Sequence, residues 1–446
     1  MIPYAILSGH IIAADGSGHD IRILELSPVS FTFRTALSTL CFFQDSPRHI
    51  LLTFFCRDTL SAHQLSLKDF KLQPDLDKAG KYWFVFRVTT DDPEFRHYAC
   101  KLSREYLRYI SLKLEDDNDA LSAALTGWTA PDEKDYPASL SAQRHNWFSS
   151  LQPDENWLLT ARQIPEVALC LDSHRLWSRF LEYSPQDFYT AYWADFCLTA
   201  HPLSQLTPTH IYIGNQFCPE QFPDADTLLK LIRKAIALHL KPVVVFAPVP
   251  EHRLNSVLQI LDLLKVAFPG MLPELIVNDY GLLSLLNIDR YLDYSVTAGI
   301  LLCRHLKDPR NQWSFFHTSG TDSISSPLSG LSLFHRGVSS ISLEANGNPL
   351  PQDQTAVYLH LPFYQTNTAT FCTLASFCGS GQRGLRSEHT VCPAYCETYG
   401  FLYPDPLRMT GAFNSLFGLN IQILSDSHCL RQLIVPTLKR LVISLY

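Results

Sequence analysis

From about residue 160 onward, short apolar runs alternate with amphipathic stretches, and this alternation constrains the fold more than any other feature of the chain. The strand candidates are EVALCLDS, THIYIGN, PVVVFAPV, ELIVND, AGILLC, VSSISLE and AVYLHLP. Each is a short apolar run. Between the second and third runs lies DADTLLKLIRKAIALHL, with Asp224 placed as an N-cap and a Leu/Ile stripe at helical spacing. Between the third and fourth lies HRLNSVLQILDLLKVAF, stopped by Pro269 and Gly270. Repeated β-α units imply a parallel sheet. Seven or eight of them over about 280 residues favour a (β/α)-type, TIM-like barrel over an open sheet. In such a barrel, chemistry belongs just after the strand C-termini.

The rest of the chain has other textures. At 446 residues it is too long for one core. Residues 1–115 read as a small all-β barrel followed by a helix. HDIRILELSPVSFTFRT alternates around a turn at Ser27 and Pro28, and HILLTFFCR, LSAHQLSLKDFKL and YWFVFRVTT continue the β pattern. PEFRHYACKLSREYLRYISLKLE then puts Phe95, Tyr98, Leu102, Tyr106 and Tyr109 on one helical face. Residues 116–159 are acidic and contain Pro and Ser, with Trp128, Trp147 and Trp157 as aromatic anchors. That composition predicts a connector docked on its neighbours, leaving 160–446 for the barrel. The net charge of −7 gives no general affinity for nucleic acid or an anionic membrane. No run reaches the roughly 18 apolar residues of a membrane span, and the N-terminus lacks a signal-peptide pattern. The expected location is the cytoplasm, where the 12 cysteines stay reduced.

Four of those cysteines fall within 25 residues: Cys372, Cys378, Cys392 and Cys396, spaced C-x5-C-x13-C-x3-C. They follow AVYLHLP, so they belong at the functional rim of a barrel. Four thiolates on a Gly-containing loop can converge on zinc or an iron–sulfur cluster; buried core thiols are the plain alternative. The other eight, Cys41, Cys56, Cys100, Cys170, Cys197, Cys218, Cys303 and Cys429, are scattered and read as core packing.

Several motifs carry a family resemblance. VNDYGLLSLL (Val277 to Leu286), GILLCRHLKDPR (Gly299 to Arg310), LFHRGVSSISLEANG, VYLHLPFYQTN and the four cysteines follow one another in the order found in the collagenase-like peptidase family. That family includes ubiquinone-biosynthesis and RNA-hydroxylation accessory proteins. The resemblance implies an incomplete barrel whose Cys372, Cys378, Cys392 and Cys396 hold a [4Fe-4S] cluster. It also implies an oxygen-independent hydroxylation of a small molecule or RNA base. The last two cysteines stand closer together here than is usual in the family. No HExxH helix or Ser or Cys nucleophile motif supports the peptidase label. ILELSPVSFTFR resembles a PilZ domain, with Glu25, Ser27 and Ser30 in the places of its (D/N)-x-S-x-x-G. The arginine pair that should precede it is missing from residues 1–20, which predicts no cyclic di-GMP binding.

Beside the cysteines, the candidate site residues are Asn278 and Asp279 at the end of ELIVND, Asp308 and Arg310 in KDPR, and Glu344 at the end of VSSISLE. A turn-capping pair and a structural Asp–Arg pair are the plain readings of the first four. Asp279, following a fully apolar strand, is expected to be the least exposed of these. His389, Arg383 and Arg386 lie inside the cysteine loop as further candidates. Two classes of function stay open: an iron–sulfur enzyme or subunit, and a non-catalytic interaction protein with structural zinc that docks a protein partner through its N-terminal domain. A peptidase is a third.

Overall fold

The computed structural model describes residues 6–12, 18–36, 49–56, 61–75, 83–114, 136–303, 337–347, 350–351, 355–372, 374–375, 392–403 and 405–446. Of the expected site residues, Asp308, Arg310, Cys378, Arg383, Arg386 and His389 lie outside these. So does Trp128. The chain divides into two compact units, and among the described residues they comprise 6–114 and 136–446.

The first unit is an antiparallel sheet of β1 (Leu7–Ile12), β2 (Gly18–Ser27), β3 (Ser30–Ala36), β4 (His49–Cys56), β5 (Ser61–Leu67), β6 (Lys71–Pro74) and β7 (Trp83–Thr89). Their order is β5-β4-β1-β2-β3-β7-β6, and among the described residues no ladder joins β5 to β6. The β2–β3 hairpin turns at Pro28 and Val29, where the Ser27 hydroxyl accepts from the Ser30 N–H at 3.0 Å. Ile21, Ile23, Phe31, Phe33, Phe86 and Val88 form the core together with Phe95 and Ala99 of α1 (Pro93–Leu114). Tyr98 and Leu102 pack on that core as their spacing predicts, but Tyr106 is 56% exposed. The helix therefore outruns the sheet that its first turns cover.

The second unit is a closed parallel barrel. Its first seven strands are β8 (Glu166–Leu171), β9 (His210–Gly214), β10 (Lys241–Phe246), β11 (Glu274–Val277), β12 (Val296–Ala298), β13 (Val338–Glu344) and β14 (Ala356–Thr368). The far half of β14 leaves the barrel and pairs with the antiparallel β15 (Phe401–Leu402), β16 (Met409–Ala412) and β17 (Ser415–Leu419). An eighth strand, β18 (Leu438–Ser444), then lies parallel between β14 and β8 and closes the ring. The expectation of an incomplete barrel is thus corrected. A second correction concerns AGILLC: the fifth-strand position is held by Val296–Ala298, and Gly299–Cys303 is a turn.

The helices are α2 (Tyr136–Phe148), α3 (Trp157–Ala161), α4 (His174–Glu182), α5 (Pro185–Ala194), α6 (Ala225–Ala237), α7 (Leu254–Ala267), α8 (Tyr280–Leu286), α9 (Gln422–Ser425) and α10 (Ser427–Gln432). Asp224 caps α6, its carboxylate accepting from the Thr227 N–H at 2.9 Å. Trp147 and Trp157 are buried in the barrel's outer core, and the Trp157 indole donates to the Ile423 carbonyl at 2.8 Å. Alternation along each strand separates two cores. In β11, Leu275 and Val277 face the helices, while Ile276 faces the lumen with Ala168, Cys170, Tyr212, Val243, Val245 and Val442.

Candidate functional site

The C-terminal rim is built first by the turn after β9, Gly214-Asn215-Gln216-Phe217-Cys218. Gly214 has φ +110°, and a Cβ there would stand 2.4 Å from the Val245 carbonyl oxygen, so only glycine fits. Asn215 then folds the turn on itself. Its side-chain oxygen accepts from the Phe217 and Cys218 N–H groups at 2.8 and 2.9 Å, and its amide donates to the Asp172 carbonyl at 3.0 Å. These bonds fix Cys218 at the mouth of the barrel.

The cysteine segment arrives over the same turn. Asn414, between β16 and β17, donates to the Phe217 carbonyl at 3.0 Å and to the Ala369 carbonyl at 2.7 Å. It thereby ties the Cys372 stretch to the Cys218 turn. On the other side, the Glu397 carboxylate accepts from the N–H groups of His174 and Arg175 at 3.0 and 3.4 Å, at the start of α4. That contact sets Cys396 beside the end of β8, and Gln221 donates to the Cys396 sulfur at 3.1 Å.

Four sulfurs consequently share one electrostatic neighbourhood. The Cys218 thiol is pushed up to about 12 by burial, against the N–H groups of Glu220 and Gln221 that point at its sulfur, with Cys372 and Cys392 adding to the rise. Cys396 is pushed up to about 12 by burial, then by Cys218, Glu397, Cys392 and Cys372. Burial also raises Cys372. Backbone N–H groups face the other sulfurs as well: Ala375 to Cys372 at 3.3 Å and Ala394 to Cys392 at 3.4 Å. Ala394 adopts φ 53°, a left-handed conformation that costs a non-glycine residue energy and aims its N–H at the sulfur. Donors gathered around sulfur suit thiolates, and mutual repulsion opposes thiolates until a cation joins them. Among the described residues, no three Cys, His, Asp or Glu side chains already stand at ligand distance around one point. Burial, N–H donors and a thiol-only donor set fit a soft or borderline metal centre.

Below this cluster the lumen holds a small cavity lined by Cys170, Asp172, Tyr212, Gln216 and Tyr446, with room for roughly one water molecule. Burial lifts the Asp172 carboxyl to about 7. Its own N–H opposes the rise, Glu397 adds to it and Arg175 lowers it. Gln216 contacts His360 at 3.3 Å, and His360 Nδ1 contacts the Ser444 hydroxyl at 2.9 Å. Tyr446 stacks on Phe417 with ring centroids 3.9 Å apart.

The other expected site residues stand on the same rim in different roles. Asn278 is 3% exposed and spends its amide on backbone, donating to the Phe246 carbonyl at 2.9 Å and accepting from Leu301 N–H at 3.0 Å. Asp279 caps α8, accepting from Leu282 N–H at 2.7 Å and from Val249 N–H at 3.1 Å. It is partly exposed, so Asn278 and Glu344 are the more buried residues, contrary to expectation. Glu344 accepts from the Gln365 N–H at 2.5 Å. None of the three lines the cavity. The residues that sequence reasoning passed over are Cys218, read as core packing, and Asp172. Both follow apolar strands by one to four positions, which is the one signal that could have flagged them.

No family model matches the chain, and no curated protein matches it. Among solved structures it is similar to one described as the U32 peptidase Mk0906, at 10% sequence identity and a TM-score of 0.30, over 64% of this chain and 94% of that one. The likeness is a weak one of fold.

Proposed function

We propose that the rim cysteines bind a [4Fe-4S] cluster and that the protein is an iron–sulfur enzyme or enzyme subunit. The observation that carries this reading is the approach of Cys218, from the turn after β9, to the sulfurs of Cys372, Cys392 and Cys396. Cys218, Cys392 and Cys396 are three of the ligands. The fourth comes from the pair Cys372 and Cys378. Bound there, a cluster supplies electron transfer or an open iron site. Gln221 donates to the Cys396 sulfur and tunes the centre, and the lumen below offers Asp172 as a buried proton carrier. The order of motifs in the sequence supports the cluster over zinc and a hydroxylation of a small molecule or RNA base over proteolysis. Cys170, the only thiol lining the cavity among the described residues, is pushed far above the ordinary thiol range by burial and makes a poor peptidase nucleophile. A structural zinc is the second reading, favoured by how the cysteine segment staples the loops after β9 and β14.

Anaerobic purification or reconstitution tests it. The expected outcome is a broad visible thiolate-to-iron absorption and about four iron per chain, lost in Cys218→Ala, Cys392→Ala and Cys396→Ala but kept in Cys41→Ala and Cys170→Ala. Colourless protein carrying one zinc would establish the structural reading. Full retention of metal in Cys218→Ala would remove Cys218 from the site.

A further inference from the structure

The turn that carries Cys218 belongs to no helix or strand, yet it aims its donors closely. The N–H groups of Glu220 and Gln221 point at the Cys218 sulfur, and the Gln221 side-chain amide donates to the Cys396 sulfur at 3.1 Å. Asn215 fixes the start of this turn through the Phe217 and Cys218 N–H groups. Its far end is held from across the rim by Arg253. Arg253 closes the short turn Glu251–Arg253 after β10, where its N–H donates to the Pro250 carbonyl at 2.9 Å, and α7 begins at the next residue. From that fixed backbone, Nη1 of the guanidinium donates to the Pro219 carbonyl at 3.0 Å, and Nη2 pairs with the Glu220 carboxylate at 2.5 Å. One planar group thus grips two consecutive residues lying between Cys218 and Gln221.

Left alone, Glu220 would work against a thiol site. Burial leads the rise of the Cys372 thiol and the Glu220 carboxylate adds to it, so this charge is felt where thiolates must form. In a thiol-only donor set, each further negative charge opposes deprotonation and therefore metal binding. The Arg253 guanidinium meets that carboxylate directly. Their side chains are 37% and 35% exposed, and a pair this solvated adds little to the stability of the fold. Its contacts fall instead on the residues that aim donors at the sulfurs. We propose that Arg253 is a positioning residue for the rim metal centre, clamping the Pro219-Glu220 turn so that its donors stay on the sulfurs and holding the Glu220 charge off the thiolates. The inference rests on the metal centre proposed above and concerns residues outside its ligand set. Partners that orient ligands without touching the metal set both the affinity and the redox properties of such centres.

Anaerobic titration of the metal-free full-length protein with cobalt(II), read by thiolate-to-cobalt absorption, tests it. Cobalt reports on the thiolates whichever metal the site holds natively. Arg253→Met should weaken cobalt binding about tenfold or more. Arg253→Lys keeps the cation and should bind close to the parent. Adding Glu220→Gln to Arg253→Met removes the stranded charge and should recover part of the loss. In protein reconstituted with a cluster, Arg253→Met should also lower the reduction potential, because the reduced centre carries one more negative charge; a tenfold penalty on the reduced form is about 59 mV. A merely structural role would not move that potential. If Arg253→Met does not fold, Arg253→Gln, which keeps a donor for the Pro219 carbonyl without the charge, should shift both readings in the same direction by less. No thiolate-to-cobalt absorption in the parent would remove the metal centre, and the role of Arg253 with it. Absorption in the parent with equal affinity and potential in Arg253→Met, or Arg253→Lys as weak as Arg253→Met, would overturn the role of Arg253 and leave the centre in place.

Discussion

At the N-terminal end of the barrel lumen, Arg440 donates to Glu166 and Glu274, each at 2.9 Å, and to the Tyr212 hydroxyl at 3.1 Å. It lies over the Tyr358 ring at 3.9 Å. Its remaining nitrogen meets His210 Nε2 at 3.0 Å, and burial, Arg440 and Lys241 push that imidazole down to about 3, so it stays a neutral acceptor. At the C-terminal end, by contrast, Asp172, Cys218 and Cys396 are each raised first by burial, and then Asp172 by Glu397, Cys218 by Cys372 and Cys392, and Cys396 by Cys218 and Glu397. The lower network balances its charge with residues of the chain. The upper one gathers acids and thiols with no buried cation among the described residues beside them. One end holds the barrel together through a buried cation met by carboxylates, and the other holds a carboxyl and thiols in their protonated forms. This is the division of labour that parallel barrels follow generally.

The sharpest way to break this contrast is to remove the cation from the balanced end. Arg440→Met leaves Glu166 and Glu274 beside each other in a partly desolvated lumen. The expected loss is about 3–5 kcal/mol in chemical denaturation. Adding Glu166→Gln and Glu274→Gln to the same chain should recover much of it. Failure of the triple variant to recover would mean that Arg440 acts through packing on Tyr358, not through charge. Metal content of the rim should stay as in the parent while the protein is folded.

The opposite change belongs at the rim. Asp172 holds its proton up to about 7 in the fold and only to about 3.8 when solvated. Its contribution is therefore fully present below the unfolded value and is lost as pH rises from about 4 to about 7, a penalty of at most about 4 kcal/mol. Asp172→Asn should remove that slope, so the variant is more stable than the parent near pH 8 and close to it near pH 4. Denaturation at the two pH values measures this. A parent and variant with parallel profiles would show that Asp172 is solvated, and the contrast between the two ends would lose its rim half.

Much of the barrel was legible because its strands are short, apolar and regularly spaced; seven of the eight were marked by that pattern, one of them displaced. The eighth, LKRLVIS, was not, because Lys439 and Arg440 interrupt its apolar run. Arg440 is a lumen residue whose charge is met only in three dimensions, so its role is invisible to periodicity. The site was legible where residues cluster in sequence, as in the cysteine segment. It was illegible where a single residue is carried in from afar. Cys218 lies more than 150 positions from Cys372, and the bond from Asn414 to the Phe217 carbonyl that joins them has no local signature. Asn278 misled in the other direction, since a polar residue ending a barrel strand reads as chemistry until its amide is seen to be spent on Phe246 and Leu301.

The smallest expected effect tests whether the functional part of the rim is confined to one side. Asp279 stands at the end of β11 yet works as a cap, with one carboxylate oxygen on Leu282 N–H and the other on Val249 N–H. Asp279→Ala frees both donors and should cost about 1–2 kcal/mol, most of it returned by Asp279→Asn, which keeps the capping oxygen. Denaturation midpoints of the three proteins measure the loss, and metal loading and visible absorption should be unchanged in both variants. If Asp279→Ala lowered metal content while α8 and the barrel stayed folded, the functional rim would extend from β8 and β9 around to β11. The separation drawn between a structural Asp279 and a functional thiol cluster would then fail, since no described contact links Asp279 to Cys218 or Cys396 through which a purely structural loss could act.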